Sequence, residues 1–112
     1  MEIPTEITFH ELPHSDSVEA SIQRWVARLQ HISDRISRCR VFVMQPHRSQ
    51  RSGKDFVVHV HLAVPGDEIA ASHIHNEDVY VAVADAFRAV RRQLLDRRGL
   101  RKSHERPSQL SA

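Results

Sequence analysis

Arginines at helical spacing carry the clearest chemistry in this sequence. Arg88, Arg91 and Arg92 follow one another at i, i+3 and i+4, so they project from one side of a helix. A guanidinium group binds a phosphate through two parallel hydrogen bonds and stacks on exposed bases. This spacing predicts a surface for a polyanion, and the alternative is a charged helix back that is merely solvated.

A second cationic stripe occurs earlier in the chain. Arg24, Arg28 and His31 recur at i, i+4 and i+7, and Arg35 falls at or beyond the end of the same helix. A strand and the polar loop of residues 46–54 extend the set of candidates to Arg38, Arg40, Arg48, Arg51 and Lys54. We expect these groups to lie on connected surface and to contact phosphates.

Aromatic residues do not interleave with the arginines. Trp25 and Phe87 fall on the apolar stripes of their helices, so both are expected in the core. Base stacking on aromatic rings is therefore not the expected mode of recognition. Recognition of a structured RNA by its shape and phosphate positions fits better.

Two His-x-His pairs, His59 with His61 and His73 with His75, offer metal-binding chemistry. Alternate residues of a strand lie on one face, so the imidazoles of each pair are near enough to share a metal ion. A His-rich metal-binding module is therefore the alternative function. Two other interpretations stay open: a polar sheet face that uses histidine, and histidine placed beside RNA.

The register of the two strands decides whether these pairs meet. If Val64 opposes Ile69, the second pair points away from the first, whereas a shift of one residue brings all four imidazoles together.

Motifs of catalytic chemistry are missing from the sequence. It contains no Gly-rich phosphate loop, no Gly-x-Ser-x-Gly and no paired carboxylates at a recognisable spacing. Cys39, the single cysteine, lies in an apolar strand without a base at fixed spacing, so it is expected to fill the core. We therefore expect no enzyme activity, no cofactor and no small-molecule substrate.

Hydrophobic periodicity predicts the elements that carry these residues. Alternating apolar residues indicate strands over residues 3–9, 36–45, 55–64 and 68–75, and helical spacing indicates one helix from residue 16 and another over 76–98. The order is β-α-β-β-β-α. The last three strands form an antiparallel meander, and both helices cover one sheet face. The predicted fold is α+β, a two-layer sandwich with a four-stranded sheet, whose open face carries Arg40, His59 and His61.

Capping signals predict the ends of the helices. Asp16 and Glu19 form a capping-box pattern, and Asn76 is a favoured N-cap. Gly99 is expected to stop the second helix. Residues 1–98 thus form the predicted domain, and residues 99–112 a flexible basic tail.

Length and composition restrict the class of protein. A chain of 112 residues with 40% hydrophobic residues fits one globular domain. The net charge is only +2, yet residues 1–23 contain acids without lysine or arginine, and half of all basic residues lie between 88 and 106. This uneven distribution of charge along the chain favours a polyanionic partner. Without a span of about 20 apolar residues, a signal peptide or a second cysteine, we expect a cytoplasmic protein.

The sequence around the last helix resembles a known family. Together with the order of elements, the segments VPGDEIAA (64–71) and HNEDVY (75–80) and the triplet Arg92-Gln93-Leu94 resemble the ribosome hibernation-promoting factor and ribosome-associated inhibitor family. The resemblance covers residues 3–98. It implies the fold predicted above, similar in layout to double-stranded-RNA-binding domains.

The resemblance also implies a function. Members of this family bind the small ribosomal subunit in stationary phase or stress, lie in the channel used by mRNA and tRNA anticodon ends, and so block translation. It places Arg92 and Gln93 in the family motif, with Arg88 and Arg91 beside them, and implies a structural role for Tyr80 at the helix–sheet junction. The arginines of the first helix fall on a face where the family tends to have basic residues.

The chain departs from the family pattern in places. After the tyrosine the family has Ala-Ile-Asp, where this chain has Ala82-Val83-Ala84 and an acid displaced to Asp85. Arginine replaces most of the usual lysines. The chain ends soon after the last helix, so we expect no C-terminal domain of the kind with which longer members pair ribosomes.

Overall fold

A four-stranded sheet carries two helices on one of its faces. The computed structural model describes residues 3–46 and 55–105, with side chains as far as residue 97. The elements are β1 (Thr5–His10), α1 (Asp16–Gln30), β2 (Arg38–Met44), β3 (Phe56–Val64), β4 (Asp67–Asn76) and α2 (Val79–Glu105). The sheet order is β1-β2-β3-β4, with β1 parallel to β2 and the other neighbours antiparallel. The predicted α+β two-layer fold is confirmed.

Alternation along the strands sends apolar side chains to the helix side of the sheet. In β2, Cys39, Val41 and Val43 are fully buried, whereas Arg40 and Phe42 between them stay half-buried on the other face. The helices close the layer with Ile22, Val26, Leu29, Val83, Phe87 and Val90. Each such side chain contributes roughly 1.5–3 kcal/mol on burial, so the choice of inner face is strongly determined.

Cys39 fills the core, as predicted. Its side chain is fully buried, and burial raises the pKa of the Cys39 thiol to about 12. The thiol therefore stays protonated at neutral pH, which removes the nucleophilic form. Within the described part of the chain, neither helix is long and apolar enough to cross a membrane.

Helix α1 begins at Asp16 as predicted, but its cap is one residue earlier. Ser15 has an extended backbone, and its hydroxyl accepts a hydrogen bond from the Val18 amide at 3.3 Å. The proposed pairing of Asp16 with Glu19 as a capping box was wrong. Both carboxylates instead lie beside His14, whose Nε2 is 2.8 Å from Asp16 Oδ1 and 3.2 Å from Glu19 Oε2.

Helix α2 begins at Val79, two residues later than a cap at Asn76 would place its start. Asp78 Oδ1 accepts hydrogen bonds from the amides of Tyr80 at 2.8 Å and Val81 at 3.4 Å, the contacts of an N-cap. Asn76 instead still pairs with Phe56 at the end of β4, and its side chain accepts from the Asp78 amide at 2.9 Å. Asn76 is therefore not the cap, because the sheet holds its backbone.

Gly99 does not stop α2, which continues to Glu105. A glycine inside a helix costs only about 1 kcal/mol relative to alanine, and the leucine, arginine and lysine residues around it favour the helix. The predicted tail of residues 99–112 therefore begins as helix, and residues 106–112 lie outside the described residues. The domain boundary at residue 98 stays a prediction.

Candidate nucleic-acid interface

The two helices lie side by side and meet at an aromatic stack. The Trp25 ring of α1 and the Phe87 ring of α2 are nearly parallel, with an interplanar angle of 13° and centroids 5.9 Å apart. Phe87 is fully buried, as predicted, whereas Trp25 is only half-buried. Part of the Trp25 side chain is therefore exposed, where the sequence had indicated a core residue.

Arginines from both helices lie over this indole ring. The guanidinium carbon of Arg28 is 4.7 Å from the Trp25 ring centroid, and that of Arg88 is 5.6 Å from it. The negative face of an aromatic ring attracts a cation, by about 0.5–1 kcal/mol at an exposed site. The stack thus restrains two arginines that are far apart in the sequence, and their side chains remain exposed.

A groove between α1 and α2 gathers further basic residues. It encloses about 600 Å³ and is lined by Trp25, Arg28, Leu29, His31, Ile32, Arg88 and Arg91. The structure thus brings part of each predicted cationic stripe to one groove. Within residues 3–46 and 55–97, no acid forms an ion pair with Arg28 or Arg91, and Arg88 has only a long contact of 3.4 Å with the exposed Asp85. The groove keeps most of its positive charge free for a ligand.

Other predicted contact residues extend this surface or lie away from it. Arg24 and Arg92 are exposed on their helices but do not line the groove, and Arg35 follows the end of α1. Arg40 lies on the opposite face of the sheet, where its guanidinium is 5.4 Å from the Phe42 ring. The sheet therefore separates Arg40 from the helix arginines.

The basic loop of residues 46–54 was also predicted to contact phosphates. Arg48, Arg51 and Lys54 lie outside the described residues, so their contribution stays a prediction.

Tyr80 lies in the first turn of α2, just after β4, and has a structural contact as expected, but its hydroxyl bonds to the other helix. Its hydroxyl donates a hydrogen bond to Ser17 Oγ at 2.8 Å, which joins the first turn of α2 to the first turn of α1. The ring of Tyr80 stays exposed. This contact fixes the spacing of the helices at the end of the groove nearest their N-termini.

Two polar residues of α2 hold the helix to the hairpin of β3 and β4. Gln93 donates from Nε2 to the Ala70 carbonyl at 2.8 Å, and Arg97 contacts Asp67 at 2.9 Å and the Pro65 carbonyl at 2.8 Å. Sequence reasoning missed both roles. The i, i+4 spacing of Gln93 and Arg97 places both side chains on one side of α2, away from Arg88 and Arg91, and this was the available signal.

The open sheet face carries the four histidines of the two His-x-His pairs. A β-bulge supplies the one-residue shift that the sequence left open: Val60 pairs with Ala71, but Val58 pairs with Ile74. The rings of His59 and His73 consequently meet edge to face, with centroids 4.8 Å apart. His75 lies opposite Val57 and contacts Asp55 at 2.9 Å, away from that pair.

A further group of metal-ligating residues was missed in the sequence. In the described ranges, His14, Asp16 and Glu19 form the one group of three ligand atoms that lie within 4.8 Å of one another. They surround the N-terminus of α1, where the helix dipole disfavours a cation. The short contacts of His14 with both carboxylates fit an ion pair better.

These features define a two-layer α+β domain of order β-α-β-β-β-α with an arginine-lined groove on its helix layer. The model of the family "Sigma 54 modulation protein / S30EA ribosomal protein" matches residues 5–102, so the chain belongs to that family. This confirms the resemblance to the hibernation-promoting factors.

Solved structures show the same fold. A ribosomal subunit interface protein from Coxiella burnetii is 18% identical, with a TM-score of 0.75 over 87% of this chain and 99% of that one. The N-terminal domain of Protein Y from Thermus thermophilus is 21% identical, with a TM-score of 0.63 over 86% of this chain and 94% of that one. Among curated proteins, none matches the sequence.

Proposed function

We propose that this protein is a cytoplasmic, non-enzymatic factor that binds the ribosome and silences it in stationary phase or stress. Its family and its likeness to a ribosomal subunit interface protein support association with the ribosome. Within that function, the helix layer binds RNA of the small subunit. The protein then occupies the channel of mRNA and tRNA, and translation stops because the channel is filled.

The observation that carries this proposal is the pair of arginines over Trp25. Arg28 and Arg88 are restrained by the same ring, and Arg91 lines the groove beside them. A restrained guanidinium loses less conformational freedom when it binds a phosphate than a free one does. Arg24 and Arg92 extend the cationic surface along each helix. The groove therefore favours a folded RNA whose phosphates approach from two strands.

Co-sedimentation with purified ribosomal subunits on sucrose gradients tests the proposal. We expect recovery with the small subunit at low salt and release at high salt, because displaced counterions make phosphate contacts salt-dependent. The double variant Arg28→Glu/Arg88→Glu should bind at least about 100-fold more weakly, since hydrogen bonds to charged groups contribute roughly 1.5–3 kcal/mol each.

A matched control separates the groove from net charge. Arg35→Glu/Arg38→Glu makes the same change in charge at exposed positions after α1 and at the start of β2, and neither of these two predicted candidates lines the groove. This control should keep most of the affinity, and circular dichroism should show both variants folded. Equal losses in the two variants would reject the groove as the contact surface. Recovery of the wild type only at the top of the gradient would reject the function.

An in vitro translation assay tests the second half of the proposal. Addition of the wild-type protein should reduce peptide synthesis, and the groove variant should not. A protein that co-sediments with the small subunit but leaves synthesis unchanged would bind outside the channel.

A further inference from the structure

The β-bulge on the open sheet face places His73 in an unusual conformation. Ser72 and His73 of β4 lie between the pairs Val60–Ala71 and Val58–Ile74, so these two residues oppose the single residue His59 of β3. His73 has a φ of 59°, in the left-handed region that few residues other than glycine adopt. Bulges redirect side chains, and strained residues concentrate at functional sites.

The result of this conformation is a contact between two imidazole rings. His59 and His73 meet with centroids 4.8 Å apart, and His61 follows His59 on the same face of β3. Partial burial, followed by the charges of His73 and His61, lowers the pKa of His59. The contact between the rings therefore brings together two side chains of the type that ligates zinc.

Carboxylates orient the neighbouring histidines. His61 Nδ1 is 2.8 Å from Glu68 Oε1, which leaves Nε2 directed away from the carboxylate. His75 Nδ1 has the same arrangement with Asp55 Oδ2, at 2.9 Å. A carboxylate on the second ring nitrogen is the usual support of a metal-ligating histidine, because it fixes the tautomer and raises the basicity of the ligand.

We propose that His59, His73 and His61 bind one divalent ion of borderline softness, Zn²⁺ or Ni²⁺. His59 and His73 are the primary ligands, His61 is the third, and water completes the coordination. The ligand atoms of the three rings are not all within 4.8 Å of one another in the described structure, so rotation of the side chains closes the site. The site lies on the opposite face of the sheet from the groove and goes beyond the proposed ribosome binding.

Calorimetric titration of the metal-free full chain with zinc chloride, and separately with nickel chloride, at pH 7.5 tests this site. One ion should bind per chain. The variant His59→Thr/His73→Asn should bind at least ten-fold more weakly. Threonine suits a strand and asparagine tolerates the left-handed backbone, so this variant removes both ligands without forcing a change of fold. His61→Asn should weaken binding to a smaller extent.

Two controls test the location of the ion. His10→Asn/His31→Asn removes two exposed histidines elsewhere and should leave the affinity unchanged. His14→Asn disrupts the cluster at the start of α1 and should also leave it unchanged. Full affinity in a folded His59→Thr/His73→Asn variant, loss in His14→Asn, or no heat with either metal for the wild type would each overturn the proposal.

Discussion

The helix layer and the open sheet face present cationic residues in different ways. On the helix layer, Arg28 and Arg88 are permanently charged and share one indole ring. On the sheet face, the rings of His59 and His73 meet edge to face, and partial burial lowers the pKa of His59. Arginine at a groove suits a permanent polyanion, whereas clustered histidine suits an ion or a proton. The comparison shows that the arginine pair and the histidine pair lie on opposite sides of one sheet.

Removal of Trp25 should break the helix layer and leave the sheet face intact. Trp25→Ala loses the stack on Phe87 and the ring below both arginines. We expect about 3 kcal/mol less free energy of unfolding, the low end for a large aromatic residue because Trp25 is half-buried. Small-subunit affinity should also fall, at temperatures where the variant is folded.

Urea denaturation and co-sedimentation measure the two effects of Trp25→Ala. Trp25→Phe serves as the control, because it keeps an aromatic ring below the arginines. If Trp25→Ala bound as tightly as the wild type, the indole would not organise the groove.

Two arginines of α2 should separate stability from binding. Arg97 bridges to Asp67 and the Pro65 carbonyl, so Arg97→Ala should lower the free energy of unfolding by about 1 kcal/mol with little effect on ribosome binding. Arg91 lines the groove, so Arg91→Ala should weaken binding by about ten-fold with a change in stability below about 0.5 kcal/mol. The opposite pattern in paired denaturation and sedimentation measurements would contradict the assignment of these roles.

The smallest expected effect is a pH dependence that belongs to the sheet face. The pKa of His59 is lowered in the folded state by burial and by the charges of His73 and His61, so the unfolded chain takes up more protons. His59 therefore makes the folded state more stable as the pH rises through its folded pKa towards about 6.5. Below that window the stability is reduced.

Urea denaturation between pH 5 and pH 8 measures this dependence. His59→Thr should show a shallower rise in stability with pH than the wild type, and His31→Asn on the helix layer should leave the slope unchanged. A slope that is identical in wild type and His59→Thr would show that His59 does not contribute.

The periodicity of apolar residues was enough to predict the architecture, because the free energy of burial adds up over all the apolar residues of a helix or strand. The alternation of Cys39, Val41 and Val43 with Arg40 and Phe42 has one solution in which apolar groups leave water, and the structure adopts it. The arginine stripes were also predicted, since helical spacing alone places their members on one face. Their meeting over Trp25 was not, because it depends on how two helices pack.

Local signals failed where two favourable choices competed. Asn76 and Asp78 are both good N-caps, and the pairing of Asn76 with Phe56 in the sheet decides for Asp78. Gly99 can end a helix, but it does so only where the backbone turns to the left-handed conformation, and here the helix continues. Each outcome is worth about 1 kcal/mol, a difference that packing easily outweighs.

The sequence alone determined the α+β class, the inner faces of β2 and β3, the core position of Cys39 and the residues that carry positive charge. These follow from repeated, additive preferences for burial and for periodic spacing. Only the tertiary structure decided which arginines share the Trp25 ring, that Arg97 is a structural cation and that His73 meets His59 across a bulge. Those contacts join residues that are distant in the chain. They depend on how whole helices and strands pack, so no local sequence pattern predicts them.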